Sequence, residues 1–271
     1  MAPHPPFTFG VPLMPRALAG DWALVEDLLG LTLASILAQT DGDFTVVIAG
    51  HDRPRGLPDD PRVGFLAADW SAGGQRSDNL DSGRKKHAIN DFVLRHGGGL
   101  LMFVDADDWV DVRLVETARR VIQPRHVGAV ITSGFATDLA TLRSVPLPHP
   151  KVFDQEFHRV CGSSVIANLR PEDPDPFRRD PYPVLHEHHL WIETARERGA
   201  ELAFPAVAGT YLVNTSQNHS ETHGPFADWR RSFSDGVATE GEAMNAAAAA
   251  RFGLDLERIA AVSRRRVPHG G

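Results

Sequence analysis

An apolar run, Leu100-Leu101-Met102-Phe103-Val104, stops abruptly in Asp105-Ala106-Asp107-Asp108. Carboxylates spaced by one residue at a strand end supply hard oxygen ligands of the kind Mg²⁺ or Mn²⁺ takes when it bridges a diphosphate. Such a cation neutralises charge growing on a departing phosphate group. The same residues suit a helix cap, because Asp107 or Asp108 stands just before a helix expected to begin near Val110. Residue type and spacing alone leave both readings open.

The elements that must position these carboxylates are legible from periodicity. Phe7 to Leu13 reads as a first strand, ended by Pro12 and Pro15, and Asp21 caps a helix running from about Trp22 to Gln39. Phe44 to Ala49 is a continuous apolar run that suits a buried parallel strand. Val63 to Ala67 forms a shorter strand, Ser71 to Ser82 a loop, and Lys86 to His96 a helix closed by Gly97-Gly98-Gly99. After the Asp cluster come a helix over Val110 to Ile122 and a strand over Val127 to Gly134. Alternating strands and helices predict an α/β fold, with an open, mostly parallel sheet flanked by helices. Ligands of such sheets bind beyond the C-terminal strand ends, where the Asp cluster lies.

The second half is less regular. It reads as a strand over His158 to Ala167, a Pro-rich loop over Pro171 to Pro183 and a helix over His188 to Arg198. An extended segment over Leu202 to Val213 and a helix over Val237 to Val262 follow. The small residues Cys161-Gly162-Ser163-Ser164 point to close packing first and acceptor contact second.

Composition narrows the function classes. The 271 residues are 42% hydrophobic and 23% charged, ordinary for a globular protein with a buried core. A net charge of −7 speaks against a broad nucleic-acid-binding surface. One cysteine, Cys161, permits no intrachain disulfide, which fits a cytoplasmic setting. Met1 to Pro6 lacks the pattern of a signal peptide, and no apolar run is long enough to span a bilayer. Arg264-Arg265-Arg266 reads as a solvated tail with at most weak peripheral contact with the inner face of a membrane.

Ser35-Ile36-Leu37-Ala38-Gln39-Thr40, the strand Phe44–Ala49, Ala88-Ile89-Asn90, and Leu101–Asp108 with Trp109 together resemble glycosyltransferase family 2 in order and spacing. The resemblance covers roughly residues 7–111. It implies the GT-A (Rossmann-like) fold, with a catalytic domain over 1–235 and a C-terminal helix and basic tail over 236–271. Within the domain, 7–111 would hold the nucleotide sugar and 125–235 the acceptor. It implies a nucleoside-diphosphate-sugar donor, UDP-linked by default, a carbohydrate or lipid-linked hydroxyl acceptor, and Mn²⁺ or Mg²⁺. Asp105, Asp107 and Asp108 become metal ligands, with Asp105 and Ala106 also against the donor. Pro12 to Arg16 and Gly50-His51-Asp52 would line the base pocket, although the family's usual D-D-x-S segment is missing there.

Lys85 and Lys86, two of only three lysines, stand ahead of Asn90 where some family members carry a phosphate-facing cation. A positive side chain early in a helix opposes the macrodipole unless an anion is present. His186-Glu187-His188-His189-Leu190-Trp191 resembles the family's E-D-x-x-L-W segment. That makes Glu187 the catalytic base, with His188 as its rival because imidazole titrates near neutrality. A zinc site built from these histidines is disfavoured, since adjacent helical residues diverge and no cysteine is near. The family's late metal histidine is replaced by Asn214, leaving His219 to take its place. Trp70, Trp109 and Trp191 would suit sugar stacking, although large aromatics more often serve the core. Two other functions compete: a sugar-phosphate nucleotidyltransferase, whose Gly-rich loop after the first strand is absent here, and a non-catalytic nucleotide or glycan binder.

Overall fold

The computed structural model describes residues 4–72, 80–185, 187–217 and 227–266. Its main sheet is built from β1 (Phe7–Pro12), β2 (Thr45–Gly50), β3 (Val63–Ala67), β4 (Gly99–Phe103), β6 (His126–Val130), β9 (Val165–Leu169) and β10 (Glu201–Ala203). The strand order is β10-β6-β9-β4-β1-β2-β3. Every neighbouring pair is parallel except the two made by β9, which is antiparallel to both β4 and β6. The mixed α/β class with a mostly parallel sheet is therefore as the alternation of elements requires.

A second, smaller sheet runs in the order β12-β8-β7-β11-β5. Its strands are β5 (Trp109–Val110), β7 (Ser133–Asp138), β8 (Arg143–Leu147), β11 (Ala208–Val213) and β12 (Glu242–Ala243). It stands immediately after the Asp cluster, where the sequence pointed to helix. Helix α3 (Leu114–Val121) begins later than expected, because Trp109 and Val110 pair with Thr210 and Gly209 instead. Neither Asp107 nor Asp108 is therefore its cap.

Helices α1 (Trp22–Leu37) and α2 (Leu80–Arg95) cover opposite faces of the first strands. Asp21 caps α1 as predicted, accepting from the Leu24 N–H at 3.1 Å. Val25, Leu29, Leu33 and Ile36 of α1 pack with Phe9, Val46 and Met102, while Ile89 and Val93 of α2 pack with Val47, Leu101 and Phe103. Gly97, Gly98 and Gly99 all take positive φ angles (96°, 77° and 123°). A side chain on Gly99 would meet the Pro6 carbonyl at 2.4 Å, so glycine is required for this tight entry into β4.

The single helix expected over Val237 to Val262 is three: Ala227–Glu240, Ala246–Arg251 and Leu256–Arg265. The first of these crosses residue 235. Gly253, at φ 64°, breaks the run against Ala38, and Asn245 and Asp255 cap the two later helices through Ala248 and Glu257. Ile259 and Val262 join Leu24, Leu28 and Leu31 of α1 in one apolar cluster, so the C-terminal segment is part of the packed body. Among the described residues, no helix is long and apolar enough to cross a membrane.

Candidate functional site

The chain leaves β1 for β2 on one side and later returns to form β4 on the other. Strand ends diverge at such a switch point and open a crevice there. Pro12 closes β1 and Leu13 to Arg16 follow it, and Asp105 to Asp108 follow β4, so the structure sets both predicted segments at its rim.

Within the Asp cluster the three carboxylates have different surroundings. Asp105, Ala106 and Asp107 are partly exposed in a turn closed by the Asp108 N–H donating to the Asp105 carbonyl at 3.1 Å. Asp108 is 1% exposed. One of its oxygens accepts from Ser163 Oγ at 2.6 Å and Cys161 Sγ at 3.3 Å, the other from the Leu212 N–H at 3.1 Å. Burial, and then the neighbouring Asp105, push its carboxyl up to about 7, while these donors pull the other way. Ser163 also accepts from the Asp105 N–H at 2.9 Å. Asp108 thus anchors the turn, and Asp105 and Asp107 keep the exposure a ligand needs.

The Ser35–Thr40 segment has a matching task. Ser35 Oγ accepts from the Val110 N–H at 3.3 Å, and buried Gln39 donates to the Asp111 carbonyl at 2.8 Å while accepting from the Val115 N–H at 3.0 Å. Thr40 donates to Glu116. These contacts pin the chain just beyond the carboxylates to the end of α1.

On the other rim, Asp52 accepts from the Arg16 N–H at 2.9 Å, joining the loops after β1 and β2. Asp81 accepts from His51 Nε2 at 2.8 Å and Trp70 Nε1 at 2.9 Å, and pairs with Lys85. Lys85 also donates to the Leu13 carbonyl at 2.7 Å and is 1% exposed. Burial lowers its pKa, partly countered by Asp81. The ammonium predicted to face phosphate therefore ties α2 to the end of β1. Lys86 places its ammonium 5.7 Å from the Phe103 ring centre. Asn90 lies ten residues into α2, about 15 Å along its axis from Leu80, and donates to the Arg179 carbonyl at 3.1 Å. Trp109 and Trp191 are core residues, and Trp70 serves Asp81.

The expected helix over His188 to Arg198 opens with a 3-10 turn, His188–Leu190, before Trp191–Glu197. Glu187 is exposed at the start of that turn and its side chain makes no capping bond. His188 is partly buried, and Nδ1 stands 2.6 Å from the His158 carbonyl. A carbonyl only accepts, so Nδ1 carries the proton and Nε2 keeps its lone pair. Burial is the main cause that brings the His188 pKa down to about 4, so the ring is neutral at pH 7. A methyl group on Gly162 would sit 3.5 Å from Asp105 Oδ2 and 3.7 Å from His188 Cδ2. Gly162 therefore leaves open a gap bordered by a carboxylate and a neutral imidazole.

Asn214 follows β11 at φ 54° and donates to Asp138, and Ser216 takes φ 63°. His219 lies outside the described residues. The donor set fits a divalent cation only in part. Asp105 and Asp107 supply hard oxygens, yet among the described residues no group of three His, Cys, Asp or Glu is arranged to hold an ion. A cation bound through two carboxylates completes its shell with phosphate and water, the usual habit of Mg²⁺. Residue type and spacing put close packing ahead of acceptor contact for Gly162 and Ser163, and the structure sets them beside Asp105 and Asp108. Asp81 left one sequence signal, its place four residues before Lys85.

No protein family matches the sequence, and no curated protein matches it. Among solved structures, the chain is similar to the inositol-1-phosphate CTP transferase from T. maritima at 10% identity and a TM-score of 0.41. That match covers 85% of this chain and 97% of the other. It is also similar to a protein described as a nucleotide-diphospho-sugar transferase, from Desulfovibrio desulfuricans G20, at 13% identity and a TM-score of 0.36. That match covers 85% of this chain and 96% of the other. At these scores neither likeness bears on what the site does.

Proposed function

We propose that the chain is a metal-dependent inverting glycosyltransferase of the GT-A, family 2-like kind. It moves a sugar from a nucleoside-diphosphate donor, UDP-linked by default, to a hydroxyl of a carbohydrate or lipid-linked acceptor. One observation carries the reading. Two partly exposed carboxylates, Asp105 and Asp107, stand at the switch-point crevice, and a neutral imidazole borders the same gap across Gly162.

Asp105 and Asp107 would hold the divalent cation, whose chemistry when bound is to neutralise charge on the leaving diphosphate. Asp108, its oxygens already engaged by Ser163, Cys161 and Leu212, positions the turn. His188 is better placed than Glu187 to take the proton from the acceptor hydroxyl, because its tautomer is set by the His158 carbonyl and Nε2 is the basic atom. The acceptor oxygen then bonds to the anomeric carbon as the bond to the diphosphate breaks on the opposite face. Asp52 and Arg16 join the two loops that would enclose the base.

The test is turnover of labelled nucleotide sugars with Mn²⁺ or Mg²⁺, comparing the unmodified chain with Asp107→Ala. A loss on the order of 10²–10³ is expected, the scale for removing one preorganised electrostatic group. Full metal-dependent activity in Asp107→Ala overturns the site. Pyrophosphate release from a nucleoside triphosphate and a sugar phosphate would identify a nucleotidyltransferase instead. Nucleotide binding without turnover of any donor would identify a non-catalytic binder.

A further inference from the structure

The triple arginine Arg264-Arg265-Arg266 was expected to be a solvated tail, but its last residue bonds the segment that follows β11. Helix Leu256–Arg265 packs Ile259 and Val262 against α1, and Arg258 donates to the Gly30 carbonyl at 3.0 Å. Arg265 pairs with Asp27 of α1. These contacts set the direction in which the chain leaves the helix. The next residue, Arg266, directs Nη1 to Ser216 Oγ at 3.3 Å.

Ser216 lies between two residues tied to opposite rims, Leu212 and Gln217. β11 runs antiparallel to β5, pairing Thr210 with Trp109, and its Leu212 N–H bonds Asp108. Gln217 accepts from the Gly20 N–H at 3.2 Å, on the loop that follows β1. The left-handed backbone at Asn214 and Ser216 makes the sharp turn between these contacts, a costly conformation for residues with side chains.

A guanidinium has five N–H donors. Among the described residues, the Arg266 guanidinium has one hydrogen-bond partner, the neutral Ser216 hydroxyl, and no carboxylate. Its neighbour Arg265, by contrast, is neutralised by Asp27. Lys85, the cation expected at the phosphate, is spent on Asp81 and Leu13. We infer that Arg266 contacts the diphosphate of the donor, its planar fork matching two phosphate oxygens. The inference rests on the donor reading above and names a specificity-determining residue for it, selecting nucleoside diphosphates over monophosphates and nucleosides.

Calorimetry tests it on the full chain with Mn²⁺, using UDP, GDP, dTDP, UMP and uridine against the unmodified protein, Arg266→Gln, Arg266→Lys, Arg264→Gln and Asp107→Ala. The expected result is a loss of about tenfold in affinity for the preferred nucleoside diphosphate in Arg266→Gln. Arg266→Lys recovers part of it, uridine binding is unchanged, and exposed Arg264→Gln behaves as the parent. Thermal melting of each variant checks that the fold is retained. If Arg266→Gln binds the diphosphate as the parent does while Asp107→Ala does not, the role of Arg266 falls and the donor reading stands. An equal loss in Arg264→Gln reduces the effect to general charge and overturns the inference. If the unmodified chain binds none of the nucleoside diphosphates, both fall.

Discussion

Residues 7–111 and residues 125–235 contribute to the same seven-stranded sheet, yet they reach it by different routes. The first region lays down β3, β2, β1 and β4 as parallel neighbours, each an apolar run joined to the next by a long connection or a helix. The second inserts the reversed strand β9 between β4 and β6, and sends β7, β8 and β11 into a separate sheet. In the first region charged groups fasten the loops, through Asp52, Asp81 and Lys85. In the second a buried ring does comparable work. Phe157 lies against Gly134 and Gly209, where an added methyl would come within 2.2 Å and 2.6 Å of it. The loops of the first region are thus held by charged groups and the smaller sheet of the second by packing.

That contrast can be broken experimentally, beginning with the ring. Phe157→Ala removes a wholly buried side chain bridging β7 and β11, and a loss of about 3–5 kcal/mol is expected in urea unfolding. A loss below about 1 kcal/mol would mean that the smaller sheet is held by other contacts.

Asp81→Asn tests the charged rim. It leaves Lys85 buried without its carboxylate, with an expected cost of about 3 kcal/mol at pH 7, the low end for a broken buried pair because Asp81 keeps some exposure. Burial raises the Asp81 pKa, but hydrogen bonds from Lys85, His51 and Trp70 outweigh it and hold the carboxyl below its usual 3.8. A depressed acid stabilises the fold above its unfolded pKa, and that contribution is lost as pH falls through the folded value. The gap between parent and Asp81→Asn should therefore be constant from about pH 6 to 8 and narrow below about pH 4. A gap that ignores acid would remove the ion pair from the explanation.

The smallest stability effect, and the sharpest functional one, is expected where the two regions meet. Gly162→Val meets no backbone atom at its first carbon, so its stability change should stay within about 1 kcal/mol. Its branches would enter the gap between Asp105 and His188, and turnover should be lost with nucleotide affinity changed less. Unimpaired turnover would show that the reacting groups do not meet in this gap.

Much of the first region was legible because its signals are local. Val63–Ala67 carries the bounds expected for its strand, Asp21 caps α1, and glycines 97 to 99 stop the chain between α2 and β4. The second region misled because its periodicity answers to distant partners. Val127 to Gly134 is two strands in two sheets, and His158 to Ala167 begins as a 3-10 turn at Phe157–Arg159 before β9. Trp109 and Val110 carry a strand assignment that only β11, some 100 residues later, explains. Asp108 was indistinguishable from Asp105 and Asp107 by type. It differs because Cys161, Ser163 and Leu212 converge on it.

By itself the sequence determined the α/β alternation and the apolar strand that ends in carboxylates. Those properties follow from side-chain pattern and chain direction, which need no knowledge of partners. Tertiary structure alone decided which carboxylate is an anchor, that Lys85 turns inward, that the His188 lone pair lies on Nε2, and that Arg266 meets Ser216. Each of those outcomes depends on burial and on hydrogen-bond partners brought together from distant parts of the chain.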